Sequence, residues 1–172
     1  MNERLARMAQ AAKDLGKKMD NGSLMREVLQ EHDEEIMQEQ QIQLLEGKGS
    51  DGDDLRPYYT EDIKPHGYFN SVQTASNYMA WKESLDYPYQ VSRGNSNAPN
   101  LYINGRFYGE MEIKFDDEAM TVAPRTPYAA EIMNKYGLKR FGLSKIHWDK
   151  MMYERGVLND IQKRVKEILY EQ

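Results

Sequence analysis

The histidines and their acidic neighbours are the side chains that could bind a metal ion or activate a water molecule. His32, His66 and His147 share no spacing that would bring two ligands onto one helix face. His32 stands beside the acidic run 33–35, whose carboxylates are of the kind that most helix surfaces carry. A hydrogen-bonded histidine is the favoured interpretation, and a metal-dependent hydrolase that uses His32 or His147 with nearby acids stays open as an alternative.

The glycine-rich stretch 47–54 could bind a cation or a phosphate, because it combines glycines with acidic residues. If Gly52 takes the glycine position of an EF-hand, two glycines stand where carboxylates are required and Tyr58 stands at the bidentate position. The segment Gly47-Lys48-Gly49-Ser50 also lacks the Gly-Lys-Ser/Thr ending of a phosphate-binding loop. The stretch therefore predicts a solvated turn, and we expect no catalytic residue, no metal site and no cofactor.

Tyrosine is unusually frequent, with 12 tyrosines against 4 phenylalanines. A tyrosine combines a large apolar ring with a polar tip and is favoured in the cores of protein interfaces. Several tyrosines lie in or beside segments of irregular pattern, where we expect contacts between subunits; packing on the protomer's own core is the alternative for each. The candidate interface residues are Tyr58, Tyr59, Tyr87, Tyr89, Tyr102 and Tyr108.

The charge of the chain bears on nucleic-acid binding. A net charge of −5 argues against a dedicated non-specific DNA-binding protein, because neutralising phosphates requires a basic face. A DNA-interacting accessory protein that uses Lys139-Arg140 and Lys163-Arg164 stays open as an alternative. The basic pairs are Lys17-Lys18, Lys139-Arg140 and Lys163-Arg164.

The composition limits how compact the chain can be. Of the 172 residues, 40% are hydrophobic and 30% are charged, and cysteine is absent, which excludes disulfides. Because long segments are polar, the chain has too few apolar side chains for every part to form its own hydrophobic core. We therefore expect an extended protomer that buries further apolar surface in contacts with neighbouring subunits. No apolar run approaches the roughly 20 residues of a membrane span, and the N-terminus lacks the apolar core of a signal peptide. We therefore expect a soluble protein made in the cytoplasm.

Helical periodicity marks the N-terminal half of the chain. Apolar residues at helical spacing predict a first helix that ends at Asp20-Asn21-Gly22, after which Ser23 can cap the next helix. The second helix is predicted to span residues 24–46, with Gly47 in the left-handed conformation that ends a helix. A third helix is predicted over residues 72–85.

The C-terminal half combines a hairpin with a helix. Apolar residues alternate with charged or polar residues in 111–115 and again in 120–123. This alternation predicts a β-hairpin with one buried face that turns at residues 116–118. A last helix is predicted to begin after Ser144 as N-cap, and Gly156 either kinks it or starts a second segment. Leu143 and Trp148 occupy the hydrophobic-staple positions of this helix, which continues to Leu169.

These elements define an α+β fold with N-terminal helices, a small antiparallel β-sheet with a hairpin, and a long C-terminal helix. Residues 1–22 are predicted to form an N-terminal arm or short helix. Residues 23–172 are predicted to form a single α+β structural domain.

Three blocks of the sequence combine glycine with leucine or aromatic residues. They are Gln43-Leu44-Leu45 with Gly47-Lys48, Pro99-Asn100-Leu101 with Gly105 and Phe107-Tyr108, and Lys135-Tyr136-Gly137 with Phe141-Gly142-Leu143. These blocks resemble a family of small structural proteins of tailed bacteriophages and prophages. In that family a Gln-Leu-Leu-x-Gly-Lys turn, a Pro-Asp-Leu segment with Gly and Phe-Tyr before a hairpin, and a Lys-Tyr-Gly segment with Phe-Gly-Leu before the last helix recur in order.

The match runs from about Gln43 to the C-terminus. Asn100 and Asn104 stand where the family tends to have Asp and Thr, and the link after the hairpin, residues 123–127, also differs. Residues 1–22 lie outside the resemblance and fit an added arm.

The resemblance implies a virion structural protein, not an enzyme, that forms a head-to-tail connector (neck) or tail-completion ring. The implied partners are further copies of the chain in a homo-oligomeric ring and the portal or adjacent connector and tail proteins. Such a ring would enclose the DNA channel without specific DNA binding and without contact with a membrane. The protein would be made in the cytoplasm of the host bacterium.

Overall fold

A computed structural model of the chain describes residues 3–58, 69, 71–93, 97–116, 120–138 and 141–170. Within these residues, helices precede and follow a single hairpin, and the predicted α+β fold with a C-terminal helix is confirmed. The helices are α1 (Glu3–Asp20), α2 (Ser23–Glu31), α3 (Asp33–Leu45), α4 (Val72–Glu83), α5 (Arg106–Gly109), α6 (Ala129–Tyr136), α7 (Lys145–Asp149) and α8 (Val157–Tyr170), and the strands are β1 (Met111–Phe115) and β2 (Met120–Pro124).

The first helix packs against α2 and α8. Its inward side buries Ala11 and Leu15, and Lys18 Nζ contacts Glu27 Oε1 of α2 at 2.9 Å. The predicted arm is therefore a helix that docks on the rest of the described chain.

The single helix predicted over residues 24–46 is wrong, because the chain forms α2 and α3 with a break at His32. The backbone of His32 has φ −112° and ψ 21°, which is not helical. Its imidazole is buried, and Nε2 lies 2.9 Å from Asp160 Oδ2 of α8. The contact with Asp160 holds the imidazole against α8 at the position where the helix breaks. The apolar periodicity of the two helices does not reveal this break.

After α3 the chain reverses at Gly47, which has φ +79°, as the sequence predicts. A Cβ atom at this position would lie 2.8 Å from Ala98 Cβ, so the turn fits closely against the segment 97–100. Lys48 and Asp54 pair across the turn with an ion pair of 2.8 Å, and the carboxylates of the turn are exposed.

The hairpin is antiparallel, and its register places Ile113 opposite Val122 and Phe115 opposite Met120. Val122 is buried while Thr121 beside it is exposed, which agrees with the predicted alternation. The predicted turn begins at Asp116, and its residues 117–118 lie outside the described part of the chain.

The last helix is divided. Between α7 and α8 the chain makes a π-helical turn at Lys150–Glu154, and Gly156 then adopts φ +90°. The predicted interruption at Gly156 is confirmed. Ser144 precedes α7 in an extended conformation, but its side chain makes no capping hydrogen bond.

Glutamine side chains of α3 provide hydrogen bonds to the backbone before α7. Gln43 accepts from the Ser144 N–H at 2.6 Å and donates to the Gly142 carbonyl at 3.0 Å. Gln40 accepts from the Gly142 N–H at 2.7 Å. Both glutamines are fully buried, so α3 satisfies the N–H of the buried Ser144 and both backbone polar groups of the half-buried Gly142.

The described residues bury two apolar clusters. The first joins the end of α3 to α5 and to the segments beside it, and consists of Leu44, Leu45, Leu55, Leu101, Phe107, Tyr108 and Leu138. The second joins α2 and α3 to the C-terminal helices, and consists of Val28, Leu29, Ile36, Met151 and Val157. Helix α3 contributes residues to both clusters and thereby connects them.

In the described part of the chain, no helix has both the length and the apolar character needed to cross a bilayer.

Candidate functional site

His147 is the centre of a buried ionic network. Its Nδ1 lies 2.9 Å from Glu39 Oε2, and its Nε2 lies 3.1 Å from Glu46 Oε2. The other oxygen of Glu39 accepts from Arg155 Nη2 at 2.9 Å. The imidazole therefore lies between two carboxylates, with one at each ring nitrogen.

The protonation of Glu39 follows from this network. Burial alone would raise the pKa of the Glu39 carboxyl, but the hydrogen bonds from His147 and Arg155 outweigh it and hold the pKa below its ordinary value. Glu39 is 3% exposed and His147 is 2% exposed, so a substrate has no direct access to them. The network ties α7 and the turn after it to α3.

Among the described residues, the other histidine is His32, and it forms no comparable centre. His32 pairs with Asp160, and its Nδ1 is buried, lies 3.9 Å from Glu35 Oε2 and has no hydrogen-bond partner. His66 lies outside the described residues. Among the residues that the structure describes, no group of three or more His, Asp or Glu side chains could hold a metal ion.

Two of the predicted interface tyrosines lie inside the protomer. Tyr58 and Tyr108 are each 3% exposed. The ring of Tyr58 makes an edge contact with Tyr78 at 5.4 Å between centroids, and the Tyr108 hydroxyl donates to the Asn100 carbonyl at 2.5 Å. Burial raises the pKa of both phenols well above the usual range. In this fold the two rings pack on the chain's own core, which is the alternative that the sequence left open.

The remaining predicted tyrosines are placed differently. Tyr87, Tyr89 and Tyr102 are partly buried and pack against the first apolar cluster. Tyr102 makes edge contacts of 5.4 Å with both Tyr87 and Tyr108, and the Tyr89 hydroxyl donates to Gln41 Oε1 at 3.1 Å. Tyr59 lies outside the described residues. The structure therefore brings Tyr87, Tyr102 and Tyr108 together in one aromatic row.

A pocket of about 520 Å³ opens between α4, α6 and the segment around Leu101. Lys82 of α4 lines it and is 2% exposed. Burial, together with the charge of Arg93, lowers the pKa of Lys82 to about 7. The sequence gives only an indirect signal for this lysine: Ala75, Tyr78 and Lys82 share one face of the predicted helix, and the first two are apolar or aromatic.

Large apolar side chains remain exposed on α1 and near the C-terminus. On α1, Leu5 and Met19 are 61% and 62% exposed, and Met8 between them is also exposed. These residues lie beside the buried stripe of Ala11 and Leu15, so the apolar side of α1 is wider than the part that packs on α8. Near the C-terminus the exposed residues are Ile146, Tyr153 and Tyr170.

The predicted basic pairs are accompanied by acids where the structure describes them. Lys18 pairs with Glu27, Arg164 pairs with Glu31, and Lys163 lies 3.8 Å from Glu167. Lys139-Arg140 lies outside the described residues. The described pairs therefore present no uncompensated basic stripe.

Comparisons with family models, with curated proteins and with solved structures give no match for the chain.

Proposed function

We propose that the chain is a virion structural protein that forms a head-to-tail connector (neck) or tail-completion ring of a tailed bacteriophage. Its partners would be copies of itself and the portal or adjacent connector and tail proteins. The ordered resemblance of the three sequence blocks supports this class of protein. The proposal assigns the chain no catalytic role, and the buried His147 network serves to fix α7 on α3.

The order of the three sequence blocks carries the proposal, because residues 43–48, 99–108 and 135–143 follow one another as the corresponding motifs do in the family that they resemble. Each subunit of a closed ring makes two heterologous contacts, and two contacts of standard size bury about 1,600 Å² per subunit.

The exposed apolar side chains of α1 suggest where one contact lies. Leu5, Met8 and Met19 are the kind of residues that form the apolar centre of an interface. The net charge of −5 suits a ring that lets DNA pass through its channel without binding it.

The copy number of the chain in purified particles tests the proposal. Quantitative mass spectrometry of particles from the phage or prophage that encodes the chain would give its ratio to the portal protein. A ratio near one, or a simple fraction of it, is expected for a symmetric ring in the neck or tail. Absence of the chain from particles would overturn the proposal.

A further inference from the structure

The pocket beside Lys82 has the dimensions and walls of a small-molecule site. Its volume of about 520 Å³ lies within the range of about 300–1,000 Å³ that ligand pockets occupy. Its described walls are mainly rings and aliphatic side chains, provided by Tyr58, Phe69, Tyr78, Leu101, Ile132 and Tyr136. Such walls favour an apolar molecule with a flat or aromatic body.

The charge of the pocket is set by Lys82. A buried ammonium is costly unless an anion compensates it. Within the described residues, no carboxylate forms an ion pair with Lys82, and the charge that acts on it most strongly is that of Arg93, which has the same sign. The other charged residues that line the pocket are Glu131 and Lys135, so the described lining contains two cations and one carboxylate.

We propose that this pocket binds a small apolar molecule that carries one carboxylate, with the Lys82 ammonium as the counter-ion of that carboxylate. A monocarboxylate matches the single ammonium of Lys82, with which no carboxylate of the described residues forms an ion pair. A phosphate monoester would require further donors, and the walls are largely hydrocarbon. The proposal is independent of the ring proposed above, because it depends only on a pocket within one protomer.

The protonation of Lys82 makes the binding dependent on pH. Because its pKa is about 7, Lys82 without a bound ligand is largely neutral at alkaline pH and largely charged at acidic pH. Among the residues that the structure describes, the ionisable groups around it are Arg93, Glu131, Lys135 and the tyrosine hydroxyls of Tyr58, Tyr78, Tyr87 and Tyr136. Binding of a carboxylate stabilises the charged lysine and takes up a proton, so the affinity rises as the pH falls.

Calorimetric titration of the full chain with 2-naphthoate and with 2-naphthamide tests the proposal, since the two probes share a ring system and differ in charge. We expect naphthoate to bind at least about tenfold more tightly than naphthamide near pH 6, and to lose at least about tenfold in affinity between pH 6 and pH 8.5. Equal affinity for both probes, or an affinity for naphthoate that does not change with pH, would overturn the proposal. These measurements require no mutation.

The variant Lys82→Met assigns the counter-ion, because methionine keeps much of the side-chain volume and removes the charge. We expect Lys82→Met to weaken naphthoate at least about tenfold and to leave naphthamide within about twofold. Lys135→Met serves as the matched control at the same pocket and should weaken naphthoate less than Lys82→Met does. A larger loss in Lys135→Met than in Lys82→Met would contradict the role of Lys82.

Discussion

Glu39 shows how one buried carboxylate can hold two elements together. It accepts from His147 of α7 at 2.9 Å through one oxygen and from Arg155 at 2.9 Å through the other. Because the carboxylate, the imidazole and the guanidinium compensate one another, none of them is left as an isolated buried charge. Removing one member leaves its partners buried and poorly satisfied, which costs more than the pair itself contributes.

We predict that Glu39→Gln lowers the free energy of unfolding by about 3 kcal/mol near neutral pH, because the His147 ring and the Arg155 guanidinium lose the carboxylate that they share. Glu34→Gln on the same helix is the control, since Glu34 is exposed, and it should change stability by less than about 0.5 kcal/mol. Urea unfolding followed by circular dichroism measures both. Equal stability of the two variants would show that the network contributes little.

The lowered pKa of Glu39 also predicts how the free energy of unfolding changes at acidic pH. The folded state holds the pKa of Glu39 below its ordinary value of 4.5. Its contribution is therefore complete above about pH 4.5 and is lost as the pH falls through the folded pKa. Unfolding at a series of pH values should show that the wild-type chain loses more stability on acidification than Glu39→Gln does. Parallel curves for the two proteins would contradict this assignment.

At the scale of the element, the turn after α3 depends on the absence of a side chain. Gly47 and Gly22 both have positive φ, of +79° and +69°, but only Gly47 faces a neighbour at the position of a Cβ atom. The two glycines therefore separate the cost of backbone strain from the cost of a clash.

We predict that Gly47→Ala destabilises the chain by about 3 kcal/mol, because it adds contact with Ala98 to the strain of a left-handed residue. Gly22→Ala has open space around it and should cost about 1 kcal/mol from strain alone. Thermal and urea unfolding of both variants measure the difference. Equal costs would mean that the segment at Ala98 yields freely.

The exposed side of α1 gives a second prediction at this scale. Leu5→Glu and Ala6→Glu each add one carboxylate at exposed positions near the start of α1, but only Leu5 belongs to the apolar side. We predict that Leu5→Glu lowers incorporation of the chain into particles at least about tenfold, while Ala6→Glu is incorporated as the wild type is. Complementation of a phage that lacks the chain, followed by mass spectrometry of its particles, measures this. Similar incorporation of both variants would place the ring contact elsewhere.

The sequence predicted the elements whose signals are local. The third helix, the hairpin, the left-handed Gly47 and the interruption at Gly156 were all predicted from periodicity and from glycine. The break at His32 was missed, because its imidazole bonds to Asp160 far along the chain. The short helix α6 was also missed, although Gly137 ends it with φ +70°.

The candidate sites were less predictable than the fold. Lys82, Glu39 and Arg155 were not singled out, since a charged residue on a helix is usually solvated and only tertiary packing buries it. The frequency of tyrosine and the irregular segments around Tyr58 and Tyr108 predict interface residues, but neither signal distinguishes an interface core from a protomer core, and both rings are buried within the protomer.

At the scale of the whole molecule, the charges bear on whether the chain binds DNA. The described basic pairs are compensated by Glu27, Glu31 and Glu167, and the chain has a net charge of −5. We predict that the purified chain is not retained on immobilised double-stranded DNA even at low salt. Retention that falls steeply with added salt would instead favour the DNA-interacting accessory protein.

The glutamines of α3 have a consequence for how the chain folds during translation. The hydrogen bonds that Gln43 makes with Gly142 and Ser144 join residues 99 and 101 positions apart. The hydrogen bond that Arg155 donates to Glu39 spans 116 positions. Their partners leave the ribosome long after α3 does, and contacts of such separation form slowly. A chain halted before Gly142 therefore exposes polar groups that the folded protein buries, so α3 reaches its native packing only after residues 142–155 have left the ribosome.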